Sequence, residues 1–117
     1  MSFKFEKLIV WQKALDLSAD INKLTKTFPR EETYILSSQI KRAADSVALN
    51  IAEGSTGQTN AAFRQFLAYA IRSGVEVISC LYIGKRRELI DQYSFDKHYS
   101  KAEEVIRMAQ GLRNSLK

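Results

Sequence analysis

Residues 63–84, FRQFLAYAIRSGVEVISCLYIG, decide the fold. Phe63, Leu67, Ala70, Gly74, Val77, Leu81 and Gly84 recur at steps of 4, 3, 4, 3, 4 and 3, which lays them along one seam of a helix, and Phe66 and Ile78 widen its apolar face. Gly74 and Gly84 each cost a helix about 1 kcal/mol relative to alanine. Their place on the seam predicts another backbone pressed against it.

The same period runs outward in both directions. Val10, Ala14, Leu17, Ile21, Leu24 and Phe28 form a first helix that ends at Phe28-Pro29. A second starts after Arg30, with Glu31 and Glu32 at its positive end, and carries Leu36, Ile40, Ala43, Val47 and Ile51 to Gly54, read as a left-handed C-terminal cap. Gly54 to Gln58 is a short polar link, and Thr59 or Asn60 caps the third helix. A break near Asp91 to Ser94 precedes a fourth helix with Phe95, Tyr99, Ala102, Ile106, Ala109, Leu112 and Leu116 facing inward. Four helices of roughly 20 to 27 residues, joined by short links, predict an all-α, antiparallel up-down-up-down four-helix bundle. Residues 1–117 form one domain, with no fixed-period repeat or dividing linker.

The longest unbroken apolar run, Phe66 to Ile71, is far short of the roughly 20 residues of a bilayer span, and the first residues lack a signal-peptide pattern. A single cysteine, Cys80, forms no internal disulfide, so a cytoplasmic protein without a membrane partner is expected. The net charge is +5, distributed as +3, −2, +3 and +1 over residues 1–30, 31–53, 54–88 and 89–117. Polyanion binding follows as a candidate function, with Lys85, Arg86 and Arg87 the only dense cluster.

Catalytic chemistry finds no foothold. One histidine, His98, and one cysteine on different helices supply no metal-ligand set. Cys80 beside Val77 and Leu81 reads as a small buried thiol, and His98 as a partly exposed surface residue. GSTG (54–57) lacks the lysine and strand of a phosphate loop. Glu103 and Glu104 are solvated neighbours, and Asp45 and Glu53 lie two turns apart, too generic a spacing to indicate hydrolysis. The expectation is a non-enzyme without cofactor, metal or small-molecule substrate.

The second helix carries a polar row beside its apolar face. Gln39, Arg42, Ser46, Asn50 and Glu53 fall within about 80° at 100° per residue. Either this is a solvated flank or it is a hydrogen-bonded seam between helices or subunits. Glu53 favours the seam, because a carboxylate at the negative end of a helix is disfavoured by about 0.3 to 1 kcal/mol unless answered. The Trp11 indole and the amides that open the third helix are the expected partners.

LIVWQKALDL (8–17), FPREETYILSSQIKRAADSVALNIAEG (28–54) and FRQFLAYA (63–70) together resemble the family of 23S ribosomal RNA intervening-sequence proteins, from about Phe5 to Leu116. Trp11-Gln12, Phe28-Pro29, the Gln39 to Arg42 step and Asn50 to Gly54 match in order and spacing. The resemblance implies a small bacterial bundle, similar in fold to the accessory protein of diversity-generating retroelements, a pentameric ring and a nucleic-acid partner, but no catalytic set. The chain departs from the family where a Gly-Arg pair often follows the NIAEG motif, since it has Thr56-Gly57, and at the third helix's capping-box glutamate, which is Ala62. A Gly-Ser step within the third helix reads Arg72-Ser73 here, with the glycine at Gly74. The missing link arginine argues against phosphate being gripped there.

The leading expectation is therefore a non-enzymatic homo-oligomer that binds RNA, DNA or a nucleoprotein through Lys41, Arg42, Arg72, Lys85, Arg86 and Arg87. Trp11, Gln39, Asn50, Glu53 and Gly54 serve structure or interface. The alternative is an adaptor that recruits a protein, such as a reverse transcriptase, without touching nucleic acid.

Overall fold

The computed structural model describes residues 2–57 and 59–117, so Gln58, at the end of the expected polar link, lies outside the described residues. Four helices carry the fold: α1 (Ile9–Thr25), α2 (Leu36–Ser55), α3 (Asn60–Arg86) and α4 (Gln92–Ser115). Short 3-10 turns at Lys4–Lys7 and Arg30–Glu32 precede α1 and α2. Among the described residues there is no strand.

The helices stand at the corners of a square. α2 packs on α1 and α3, and α4 on α3 and α1, while the backbones of the diagonal pairs stay farther apart. Direction follows from which residues meet. A Cβ at Gly84, near the end of α3, would lie 3.5 Å from Leu36 at the start of α2, whereas one at Gly54, near the end of α2, would meet Phe66 at the start of α3. Tyr82 stacks edge-on against Phe95, so α3 and α4 are also antiparallel. Lys13 pairs with Glu104 and Asp20 with Lys101, which sets α1 against α4. The bundle is up-down-up-down, 43 × 25 × 19 Å.

The three predicted seams of α1, α2 and α3 are buried, with Leu17, Ile21, Ile40, Val47, Ile51, Leu67, Val77 and Leu81 essentially sealed from solvent. The fourth is rotated. α4 buries Phe95, His98, Ala102, Val105 and Ala109, and leaves Tyr99, Ile106, Leu112 and Leu116 half-buried. His98 is thus inside rather than on the surface. Its Nδ1 lies 2.7 Å from the Ser94 carbonyl oxygen, which can only accept, so the ring satisfies its N–H within its own helix.

Helix ends differ from expectation for local reasons. α1 stops at Thr25, and Phe28 is buried from the connecting turn. Glu31 and Glu32 sit in the separate 3-10 turn, not in the first turn of α2, and Glu32 faces Arg87 at 3.5 Å. Thr59 caps α3 by accepting the Ala62 amide at 3.0 Å, and Asp91 caps α4 by accepting that of Ser94 at 2.8 Å.

Gly54 is not a left-handed cap. No glycine among the described residues has positive φ, and α2 continues through Ser55 to a right-handed cap at Thr56. Its hydrogen side chain instead admits Phe66, whose Cβ would stand 2.5 Å from a Cβ at Gly54. Gly74 and Gly84 likewise accommodate side chains, not a neighbouring backbone: Ile106 Cγ1 and Ile90 Cδ1 would lie 2.7 and 2.6 Å from Cβ atoms there.

α3 leaves the bundle through an L-residue in the left-handed region, Glu88, at φ 62°. Leu89 N–H donates to Gly84 O at 2.8 Å and Glu88 N–H to Lys85 O at 3.0 Å, the bond pair of a Schellman turn.

Candidate nucleic-acid interface

The dense basic cluster occupies the last turn of α3, with Lys85 and Arg86, and its C-cap, Arg87, where cations oppose the negative helix end favourably. Its members have different surroundings. Lys85 Nζ lies 4.7 Å over the Phe95 ring, and Arg87 is held toward Glu32. Arg86 is exposed and enters no ion pair among the described residues. With Ser79, Tyr82, Ile83 and Glu88 these three line an open groove of about 720 Å³. Arg30 belongs to the same end of the bundle, since its turn carries Glu32.

Lys41 and Arg42 lie on α2 beside a second groove, with Tyr34, Ser38, Asp45 and Leu49. Lys41 is half-buried; Arg42 is exposed, with its Nη2 3.5 Å from Ser38 Oγ. Arg72 stands alone in the middle of α3, about 21 Å from Arg86 at 1.5 Å per residue. The six basic residues therefore form two groups and an outlier, not one patch. Arg64, two turns before Arg72 on α3 and also exposed, was not among the candidates, although its eight-residue spacing places it on the same helix face.

The polar row of α2 divides. Ser46 and Asn50 form a seam: Asn50 Nδ2 donates to Ser46 O at 2.8 Å and to its Oγ at 2.9 Å, and Ser73 Oγ on α3 donates to Ser46 Oγ at 2.9 Å. Gln39, Arg42 and Glu53 are exposed. Among the described residues the Glu53 carboxylate has no ion pair and no hydrogen bond, so the expected answer from Trp11 or the α3 amides is absent. Trp11 packs edge-on against Phe5, with ring centroids 4.8 Å apart. Four-residue steps from the exposed Asp45 and Leu49 carry Glu53 to the outer face of α2.

No group of three or more His, Cys, Asp or Glu side chains converges among the described residues. Cys80 is buried, and desolvation, with the Glu76 carboxylate adding, pushes its thiol above the ordinary range. A thiol held neutral is a poor nucleophile.

The family model described as "23S rRNA-intervening sequence protein" matches residues 6–111. The chain belongs to the 23S rRNA-intervening sequence protein family. Among solved structures it is similar to a protein of unknown function from the S23 ribosomal protein family of Bacteroides thetaiotaomicron VPI-5482. The two share 24% sequence identity, with 92% of this chain and 96% of that chain covered at a TM-score of 0.86, a likeness of fold. No curated protein sequence matches significantly. Membership in the intervening-sequence protein family agrees with the Trp11-Gln12 and Asn50 to Gly54 motifs, which the structure brings to the same end of the bundle: Lys4, in the turn before α1, lies 5.2 Å over the Phe63 ring at the start of α3, beside Gly54.

Proposed function

We propose that the protein is a non-enzymatic, cytoplasmic, multi-copy bundle, a pentameric ring by family resemblance, that binds RNA, DNA or a nucleoprotein through its basic end. The observation that carries this reading is Arg86, solvent-exposed and without an ion pair among the described residues, between Lys85 and Arg87 at the rim of an open groove. Repetition multiplies the effect, because copies of a +5 chain arranged in one assembly make a larger field than a single subunit. Tyr82 and Ile83 in the same groove add apolar surface on which an unstacked base can rest.

The second reading is an adaptor that recruits a protein, such as a reverse transcriptase. Tyr34, Ile35 and Tyr93, 92%, 57% and 79% exposed, favour it as unpartnered apolar side chains. Affinity capture with and without nuclease separates the two. Nucleic-acid binding predicts that co-purifying partners are lost after nuclease and that Arg86→Ala weakens retention of RNA. Partners that persist after nuclease, with no RNA retained by the wild type, favour the adaptor.

A further inference from the structure

The outward surfaces of α2 and α3 carry two rows of equal pitch and opposite charge. On α2, Asp45, Leu49 and Glu53 follow one another at four-residue steps, and all three are exposed, Leu49 by 66%. On α3, Arg64, Ala68 and Arg72 do the same, with the arginines exposed and Ala68 half-buried. Each row spans about 12 Å of helix and forms a ridge of the kind that interdigitates when helices pack. Within the chain the side chains of Glu53, Arg64 and Arg72 have no ion pair or hydrogen bond among the described residues, and Asp45 accepts only the Ser18 hydroxyl at 2.5 Å.

We infer that these rows dock on each other between two copies of this chain, Leu49 of one copy seating over Ala68 of the next while Asp45 and Glu53 meet Arg64 and Arg72. The inference rests on the multi-copy reading above and names its surfaces. A carboxylate–leucine–carboxylate row laid on an arginine–alanine–arginine row joins unlike charges 12 Å apart and sets a large apolar side chain over a small one. Either row laid on its own copy sets like charges face to face, which selects a heterologous contact over a two-fold one.

The rest of α3 extends the contact. It is the one helix among the described residues long and apolar enough to cross a membrane, yet only 33% of its apolar window is buried in the bundle. Val75 remains 55% exposed further along that side. Because the two rows lie on neighbouring corners of the square, successive copies turn relative to one another, as a closed ring requires. The contact also gives Glu53 the cationic partner that its own helix end lacks, and it assigns Arg72 to assembly, leaving the Lys85 to Arg87 end free.

Native mass spectrometry tests this on wild type, on Asp45→Lys with Glu53→Lys, and on Arg64→Glu with Arg72→Glu. Reversing both charges of a row makes the result independent of which end of α2 meets which end of α3. The expected outcome is a multi-copy wild type, monomers for each reversed protein with helical circular dichroism retained, and the wild-type mass restored in a single chain that carries all four reversals. A multi-copy wild type whose mass neither reversal changes overturns the row contact and leaves the multi-copy reading standing. A monomeric wild type overturns both. Loss of RNA binding on arginine reversal at unchanged mass assigns that row to nucleic acid and also overturns the contact.

Discussion

Phe66 occupies the space that a side chain on Gly54 would need: a Cβ at Gly54 would stand 2.5 Å from Phe66 Cβ and 3.1 Å from Phe63 Cδ1. The first of these atoms is fixed to the α3 backbone, so a rotamer change cannot relieve the clash, and α2 and α3 must separate. Gly54→Ala should cost about 1 to 3 kcal/mol, the range of an overpacked core, even after the helix-propensity gain of alanine. Urea denaturation followed at 222 nm measures it; an unchanged midpoint contradicts the packing role.

Gly111 is the internal control. It is an exposed helical glycine near the end of α4 with nothing within 4 Å of an added Cβ. Gly111→Ala should therefore stabilise the bundle by about 0.5 to 1 kcal/mol, the difference in helix propensity, measured in the same titration.

Glu88 holds φ at 62° where the α3 turn demands a left-handed residue. An L-residue with a side chain pays about 1 to 2 kcal/mol in that region and glycine almost none. Glu88→Gly should raise stability by about 1 kcal/mol, whereas Glu88→Val should lower it, both read from denaturation midpoints.

Cys80 is 1% exposed, and its thiol is pushed upward first by burial and then by the Glu76 carboxylate. Its reaction with a chromogenic disulfide at pH 8 should be more than about ten-fold slower in the folded protein than in denaturant, since 1.4 kcal/mol of opening free energy already gives that factor. The sign of the linkage follows. The neutral thiol's contribution is fully present below its unfolded pKa and is lost as pH rises through the elevated folded one, so Cys80→Ala should flatten the alkaline decline in stability.

The seams of α1, α2 and α3 were legible because each offers one unbroken row of apolar residues. α4 offers two. Phe95, Ala102 and Ala109 fit both, and Tyr99 with Ile106 looked more apolar than His98 with Val105. The helix takes the second row, because His98 can bond its own Ser94 carbonyl while Ile106 fills the space over Gly74. The exit of α3 carried no glycine or proline to mark it, since Glu88 bears the strain. Gly54 was misread for the opposite reason: glycine near a helix end signals a cap, and only the position of Phe66 shows that it serves packing. The polar row of α2 was legible as a pattern, but which of its members turn inward depends on Ser73, on a different helix.

The most direct test of the central claim, that the basic end around Arg86 engages a polyanion, is the salt dependence of RNA binding by wild type and by Arg86→Ala. Fluorescence anisotropy between 50 and 300 mM salt, ranges of about the scale over which phosphate contacts change affinity strongly, should give a linear fall of log affinity with log salt. The slope of the variant should be shallower by about 0.7 to 0.9 for each phosphate contact removed. Equal slopes for the two proteins, or wild-type binding insensitive to salt, would contradict it.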